Sequence, residues 1–160
     1  MIFVITGTEK FPFNRLIHKI DVLKEKGILD EDVYMQLGSS TYIPQNCRWQ
    51  QWFSFPDMIE NIKKSSLVIT HAGAGTTLLC LELGKTPIIV TRRSEHGEHL
   101  DNHQIPFAKM MESLSYVVCA YDVDELDNSI LKYTQNSSTT KKLHKDNSQL
   151  VSYLDLWFNS

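Results

Sequence analysis

The feature that most constrains this chain is the regular alternation of short apolar runs with longer segments of helical period. The apolar runs are rich in β-branched residues and have the length of buried strands. They cover residues 2–6, 33–37, 67–70, 87–91 and 116–120, and the helical segments cover residues 16–26, 56–65, 76–83, 102–113 and 123–133. Because parallel strands need crossover connections, which are usually helices, the alternation predicts an α/β fold with a Rossmann-like, mostly parallel sheet and helices on both faces. Residues 48–53 form a polar and aromatic piece within this series.

Length and composition predict one domain followed by a tail. With 160 residues, 42% of them hydrophobic, the chain is long enough for a single core. We expect the domain to cover residues 1–134, because residues 135–142 are polar and typical of a linker. Residues 143–160 predict a terminal helix that packs on the domain or on a partner. Its apolar stripe consists of Leu143, Leu150, Leu154 and Trp157.

Charge and composition also exclude several classes of protein. The net charge of −3, with no basic run, lacks the positive surface that nucleic acid requires. The first residues do not have the pattern of a signal peptide, and no apolar run approaches the roughly 20 residues that span a bilayer, so we expect a cytoplasmic protein. Cys47, Cys80 and Cys119 are odd in number and widely spaced, which predicts reduced thiols in the core.

Two glycine turns follow predicted strands and should meet at one edge of the sheet. In the first, residues 71–75 (HAGAG) lie between a strand and a helix that begins near Thr76. Small residues let a diphosphate approach the main chain, and the N–H groups of a first helical turn can hold it. The pattern is neither a P-loop nor G-x-G-x-x-G, and close packing of a strand on a helix would favour small residues equally. The second turn, Gly7-Thr8, strengthens the phosphate interpretation because it follows the first strand.

A charged segment after the predicted strand at residues 87–91 must face the same crevice. Asp101 is a candidate N-cap for the next helix, and Gln104, three positions later, fits a capping box. Such a cap fixes the first turn, so His103 and Gln104 should point into the crevice. The amide of Gln104 both donates and accepts, which suits paired sugar hydroxyls.

The same segment permits a metal interpretation. The residues concerned are His96, Glu98, His99, Asp101 and His103. His99 and His103 are spaced i, i+4, as zinc ligands often are. However, a helix that begins at Asp101 separates them, and the order is not His-Glu-x-x-His. Residues 122–124 (Asp-Val-Asp) resemble a metal-binding pair but precede a helix, where aspartate caps the first turn.

Taken in order, the motifs resemble a known family. They are Gly7-Thr8 with residues 13–16, Gln36-Leu37-Gly38 with residues 42–44, residues 52–55 with Met58, VITHAGAGT at 68–76, residues 84–90, and GEHLDNHQ at 97–104. This combination, over about residues 1–130, resembles the donor-binding C-terminal half of a family 28 glycosyltransferase of GT-B fold. It is similar in particular to the small soluble subunit of two-component exopolysaccharide transferases, and to the soluble subunit of the eukaryotic enzyme that adds GlcNAc to a dolichol-linked glycan.

The resemblance implies a donor-binding catalytic subunit of an inverting transferase. Its donor would be a UDP-sugar, and it would need no cofactor and no essential metal. Its acceptor would be a saccharide on polyprenyl diphosphate, in exopolysaccharide or capsule biosynthesis. The chain is long enough for only one GT-B half, so a membrane-anchored partner subunit would carry the acceptor half and hold the complex at the cytoplasmic face of the membrane.

The resemblance also implies roles for individual residues. The diphosphate would be held by Gly73, Ala74, Gly75 and Thr76, and Gly7 and Thr8 would close the crevice from the first strand. His71 would also bind UDP, and uracil would be flanked by Phe53, Phe55 and Met58. The donor sugar would face Glu98, Asp101, His103 and Gln104. The general base is expected on the partner, with His71 and His103 as local alternatives.

Two positions depart from the family pattern, and two other functions remain open. Ala72 occupies the second position of the His-Gly-Gly-Ala-Gly pattern. Many relatives have an acidic residue that binds the ribose hydroxyls where this chain has Leu79, while Glu82 should lie elsewhere on the helix. The alternatives are a non-catalytic UDP-binding regulatory module and a zinc-dependent hydrolase built on residues 96–103.

Overall fold

The computed structural model describes residues 1–136 and residue 152. The strands are β1 (Ile2–Ile5), β2 (Val33–Gln36), β3 (Arg48–Gln50), β4 (Leu67–His71), β5 (Ile88–Val90) and β6 (Val118–Ala120). They form one six-stranded sheet in the order β3-β2-β1-β4-β5-β6. Every neighbouring pair is parallel, which confirms the predicted sheet.

Within residues 1–136, five α-helices cover the sheet. They are α1 (Asn14–Glu25), α2 (Phe55–Lys64), α3 (Ala74–Glu82), α4 (Gln104–Ser113) and α5 (Leu126–Asn136). Helix α2 shows how local sequence sets a boundary, since the Ser54 side chain accepts a hydrogen bond from the Asp57 N–H and Pro56 occupies the first turn.

The helices lie on both faces of the sheet, as predicted. One face packs against α1 and α5, whose buried residues include Leu16, Ile20 and Leu126. The other face packs against α2, α3 and α4, and its clusters include Ile62 and Phe107. The central strands β1 and β4 are wholly buried between these layers, which accounts for their continuous apolar runs in the sequence.

The remaining differences from the sequence predictions concern boundaries. The polar and aromatic piece contains an exposed edge strand at Arg48–Gln50, because an edge strand does not need an apolar face. Residues 123–125 form a 3-10 turn before α5, which continues to Asn136 through the first two residues of the predicted linker. The rest of that linker and, apart from residue 152, the predicted terminal helix lie outside the described residues.

Strand β6 forms one edge of the sheet, and side chains occupy its outward N–H groups. The Cys119 N–H donates to Glu112 over 3.4 Å, and the Tyr121 N–H donates to Glu125 over 3.0 Å. Glu112 also accepts a hydrogen bond from the Tyr121 hydroxyl at 2.6 Å. Two carboxylates therefore cover this edge.

The cysteines are free thiols. Cys80 and Cys119 are buried and Cys47 is half-buried. Burial raises the pKa of each thiol to about 12, so the thiols stay protonated near neutral pH. No helix in residues 1–136 has the length and apolar character needed to cross a membrane.

Candidate functional site

The strand order reverses between β1 and β4, and this point defines a cleft. From β1 the chain crosses to β2, and from β4 it crosses to β5 in the opposite direction. The two connections diverge at the carboxyl ends of the strands, where open parallel sheets bind ligands. A cavity of about 680 Å³ lies there, lined by both turns and by residues of α2 and α3.

The turn after β4 forms one wall of the cleft. Gly73 is extended, with φ −77° and ψ 132°, and α3 begins at Ala74. No side chain in the described part of the chain caps this helix, and Thr77 directs its N–H and hydroxyl to the Gly73 carbonyl. Ala74, Gly75 and Thr76 carry the first N–H groups of the helix and line the cavity. With the positive end of the helix dipole, they provide donors for an anion.

The turn after β1 forms the opposite wall. Gly7, Thr8 and Glu9 line the cavity, and Gly7 has a φ of +82°, which favours glycine. The Ser39 hydroxyl donates to the Glu9 carbonyl over 2.7 Å and supports this turn from outside. The two glycine turns of the sequence analysis therefore line the same cavity.

His71 ends β4 and lies between these turns. It is 6% exposed, and Nδ1 is 3.3 Å from the Thr70 hydroxyl. Burial and the nearby Arg92 lower its pKa to about 3, although a hydrogen bond to the Ile5 backbone opposes this shift. The imidazole is therefore neutral near neutral pH, and the lowered pKa makes it a weak base. His71 as a local catalytic base stays a prediction, which its burial and lowered pKa disfavour.

An apolar wall comes from α2 and α3. Phe55 is 65% exposed and lines the cavity together with Met58 and Leu79. Glu82 also lines it, because residues three positions apart lie on the same face of a helix. Glu82 thus occupies a position on α3 different from that of Leu79, as expected, but it borders the same cleft.

Phe53 lies elsewhere than predicted. Its ring packs edge-on against Phe3 and Tyr34, at centroid distances of 5.4 and 4.9 Å, and it is not among the residues that line the cavity. The aromatic cluster on the sheet holds the ring, because it offers more apolar contact than the rim of an open cleft.

Arg92 is a functional candidate that the sequence analysis missed. It is 1% exposed, and its guanidinium donates to the carbonyls of Thr6 (2.5 Å), Phe11 (2.9 Å) and Glu98 (3.0 Å). It also lies 4.7 Å from the centre of the Phe13 ring. Burial lowers the pKa of Arg92 to about 10, so the residue remains charged. Arg92 thus joins the segment after β1 to the segment after β5 and places a positive charge beside the cleft.

The structure contradicts the predicted role of Glu98 at the donor sugar. Glu98 is 2% exposed. Its carboxylate accepts two hydrogen bonds from Arg15, at 2.6 and 3.1 Å, and one from the Arg93 N–H at 2.9 Å. Arg15 reaches Asp122 as well. Glu98 therefore stabilises the loop after β5 through buried hydrogen bonds instead of facing the cleft.

The predicted capping box is also absent. Helix α4 begins at Gln104, and the buried Gln104 amide oxygen accepts a hydrogen bond from the backbone N–H of Arg92 over 3.1 Å. Asp101 accepts a hydrogen bond from the His103 N–H over 2.8 Å, in a turn that precedes the helix. Because Gln104 turns inward, its predicted contact with the donor sugar is lost, while Asp101 and His103 remain exposed at the start of α4.

The zinc interpretation finds no cluster of ligands. Among residues 1–136 and residue 152, no three His, Cys, Asp or Glu side chains are grouped so that they could hold a metal ion. His99 instead packs against the Phe11 ring at 5.8 Å and lies 3.4 Å from Asp101.

Comparison with known proteins agrees with this geometry. Residues 1–154 match the family described as the glycosyltransferase family 28 C-terminal domain. The chain is 30% identical over 128 residues to the UDP-N-acetylglucosamine transferase subunit ALG13 of Homo sapiens, which is 74% of this chain and 11% of the human protein. It is 31% identical over 90 residues to ALG13 of Candida albicans, which is 56% of this chain and 28% of that protein.

Solved structures show the same fold. The chain superimposes on the glycotransferase of kitacinnamycin with a TM-score of 0.65 and 13% identity, and it covers 37% of that chain and 89% of its own. For the calicheamicin glycosyltransferase CalG4 the TM-score is 0.61 and the identity 15%, and the match covers 39% of that chain and 94% of this one. For SnogD from Streptomyces nogalater the TM-score is 0.54 and the identity 18%, and the match covers 43% of that chain and 95% of this one. The fold is thus an α/β, Rossmann-like half of a GT-B glycosyltransferase, and by its sequence the chain belongs to glycosyltransferase family 28, as a C-terminal domain of that family.

Proposed function

We propose that this chain is the donor-binding catalytic subunit of an inverting hexosyltransferase. It would move a sugar from a UDP-sugar to a saccharide linked to polyprenyl diphosphate, in exopolysaccharide or capsule biosynthesis. The observation that carries the proposal is the convergence of an uncapped helix N-terminus, two glycine turns and an apolar wall on one cavity. That combination suits a ligand with a diphosphate at one end and a planar base at the other.

The two ends of the cavity support this orientation of UDP. The diphosphate would accept hydrogen bonds from the N–H groups of Ala74, Gly75 and Thr76, with the Gly7-Thr8 turn opposite. The uracil would pack on Phe55 and Met58, which lie at the start of α2. Arg92 adds a buried positive charge nearby, which further favours an anion.

Glu82 provides a group for the ribose. An ionised carboxylate can accept hydrogen bonds from two adjacent hydroxyls. Glu82 lies one turn beyond Leu79 on the same face of α3, and both residues line the cavity. We therefore assign the recognition of the ribose to Glu82, in place of an acidic side chain at position 79.

Transfer would proceed by a single displacement. The acceptor hydroxyl attacks the anomeric carbon, the bond between that carbon and the β-phosphate oxygen breaks, and UDP departs with the electron pair. Negative charge grows on the diphosphate as this bond breaks, so the N–H groups at the start of α3 would bind the transition state more tightly than the ground state. This stabilisation needs no metal ion.

The proton of the acceptor hydroxyl needs a base, which we place on the partner chain. His71 is poorly suited to this role, because burial lowers the pKa of its ring to about 3 and makes it a weak base. His103, exposed at the start of α4, is the remaining local alternative. The chain spans 37–43% of the length of the solved glycosyltransferases that it resembles. In our proposal, a membrane-anchored partner chain carries the acceptor half.

Calorimetric titration with UDP in the presence of EDTA tests the proposal, with ADP as the control ligand. We expect UDP to bind at one site and ADP to bind at least about tenfold more weakly, because ADP carries the same diphosphate but a larger base. Equal affinity for the two, or no binding of either, would contradict a uridine site. UDP binding without sugar transfer by any co-expressed acceptor chain would indicate the non-catalytic module instead.

The variant Glu82→Gln tests the assignment of the ribose. Loss of a charged acceptor should weaken UDP binding by about tenfold or more, since hydrogen bonds to charged groups contribute about 1.5–3 kcal/mol. Binding of 2′-deoxy-UDP should fall by less. Glu60→Gln is the matched control, because Glu60 is exposed on α2 and pairs with Lys64. An equal loss for both ligands would argue against the contact with the ribose.

A further inference from the structure

Two glycines of the cleft lie against the ring of His71. A Cβ added to Gly7 would lie 2.5 Å from Cε1 and 2.6 Å from Nε2 of the imidazole. A Cβ added to Gly73 would overlap Nε2 and lie 2.8 Å from Cδ2. All of these separations are shorter than van der Waals contact, so the Nε2–Cε1 edge of the ring leaves no room for a Cβ in the turn after β1 or in the turn after β4.

Gly75 provides the contrast. A Cβ at this position would meet no atom of the described protein within 4 Å. Gly75 is exposed at the start of α3, where it lines the cavity. The requirement for glycine at positions 7 and 73 therefore has a cause inside the protein, whereas at position 75 the packing of the protein imposes none.

The ring of His71 is held firmly in its place. It is buried, and its Nδ1 lies 3.3 Å from the Thr70 hydroxyl, while the Ile5 backbone interacts with the ring and opposes the fall in its pKa. Because it is neutral, it needs no counter-ion and can pack against the backbone of both turns. Arg92, whose guanidinium binds the Thr6 carbonyl next to Gly7, fixes the end of β1 from another direction.

We propose that His71 is a positioning residue whose ring acts as a spacer between the two glycine turns. The Nε2–Cε1 edge of the ring limits how closely the turn at Gly7 and the turn at Gly73 can approach each other, and so sets the width of the cleft. The consequence for a diphosphate rests on the proposed function, whereas the spacer itself rests on packing alone. The ring accounts for glycine at position 73 and, together with the positive φ, at position 7, whereas Gly75 is the position that is left open to the ligand.

A cycle of variants measured by thermal unfolding tests the spacer. Gly73→Ala should lower the melting temperature by about 5 °C or more, because a Cβ cannot fit beside the ring. For a chain of this size, a loss of 1 kcal/mol in the free energy of unfolding lowers the melting temperature by about 2–4 °C. The backbone at Gly73 is compatible with alanine, so His71→Ala/Gly73→Ala should be no less stable than His71→Ala. Additive losses of melting temperature would overturn the proposal.

Two further variants sharpen the cycle. His71→Ala should rescue Gly7→Ala only in part, because the φ of +82° at Gly7 remains strained for alanine. Gly75→Ala should change the melting temperature equally with and without His71. Full rescue at Gly7, or coupling at Gly75, would contradict the geometry. His71→Asn, which lacks the far edge of the ring, replaces His71→Ala if the latter does not fold.

The effect on ligand binding separates positioning from general stability. His71→Ala should weaken binding of UDP about tenfold in calorimetry, while binding of uridine, measured by NMR titration, should change less than threefold. An equal change for the two ligands would overturn the positioning role. If the wild-type chain binds no UDP, the proposed function fails, and the unfolding cycle then decides the spacer on its own.

Discussion

Replacing Arg92 by methionine should destabilise the fold strongly while keeping the shape of the core. Methionine retains an unbranched apolar stem beside Phe13 but leaves three carbonyls, those of Thr6, Phe11 and Glu98, without their donor. A buried acceptor without a partner costs about 1–3 kcal/mol, so the buried Thr6 and Glu98 carbonyls would together cost about 2–6 kcal/mol, and the part-buried Phe11 carbonyl would add less. The variant also removes the cost of burying a cation, so the loss falls short of the upper end of this range. We expect a loss of about 3–5 kcal/mol in the free energy of unfolding.

Urea unfolding followed by tryptophan fluorescence measures this loss. The matched control is Arg48→Met, because Arg48 is exposed on β3 and lies 4.5 Å from the centre of the Tyr34 ring without a buried carbonyl cluster. The control should change the free energy of unfolding by less than about 1 kcal/mol. Arg92→Lys should fall between the two, because a compact ammonium cannot span three carbonyls as a planar guanidinium does. A loss below about 1 kcal/mol for Arg92→Met would refute the view that this side chain ties the two segments together.

Two further predictions concern buried carboxylates. Glu98→Gln should lower the free energy of unfolding by about 1–3 kcal/mol, because the charged hydrogen bonds to Arg15 are lost. It should change the UDP affinity less than threefold in calorimetry, and a tenfold loss would mean that Glu98 faces the ligand after all. At Asp21, burial alone would raise the pKa, but hydrogen bonds from the Gln45 and Asn46 N–H groups and the Tyr42 hydroxyl outweigh it and lower the pKa. The stabilisation from Asp21 is therefore complete above about pH 4 and is lost as the pH falls through the lowered pKa. Urea midpoints measured from pH 6 to pH 2.5 should fall less steeply for Asp21→Asn, and parallel curves would contradict this.

Much of the fold could be predicted from the sequence because the strands are buried on both faces. Runs such as those in β1 and β4 carry no polar alternation, and helical segments separate them, so the parallel sheet follows from the pattern. Edge strand β3 could not be assigned in this way, because all three of its residues are exposed. The position of the two glycine turns in one cleft followed from topology alone.

The side-chain details of the cleft were harder to predict. Glu98 and Gln104 lie in a segment that faces the cleft, yet both side chains turn inward, Glu98 toward Arg15 and Gln104 toward the backbone of Arg92. Arg15 is distant from Glu98 in the sequence, and the sequence does not show that Arg92 is buried. A charged residue directly after an apolar strand reads as exposed, and only the surrounding carbonyls reveal that Arg92 is enclosed. The role of Gly73 has the same origin, since the pattern shows a small residue but not the ring that requires it.

The carboxylates of Glu112 and Glu125 at the β6 edge affect how copies of the protein can associate. A strand that added to this edge would have to displace both side chains before its backbone could bond to β6, and it would meet two negative charges as it approached. Open sheet edges promote aggregation when many copies are brought together, as they would be on a membrane surface. The protein is therefore protected at this edge from polymerising through its own sheet.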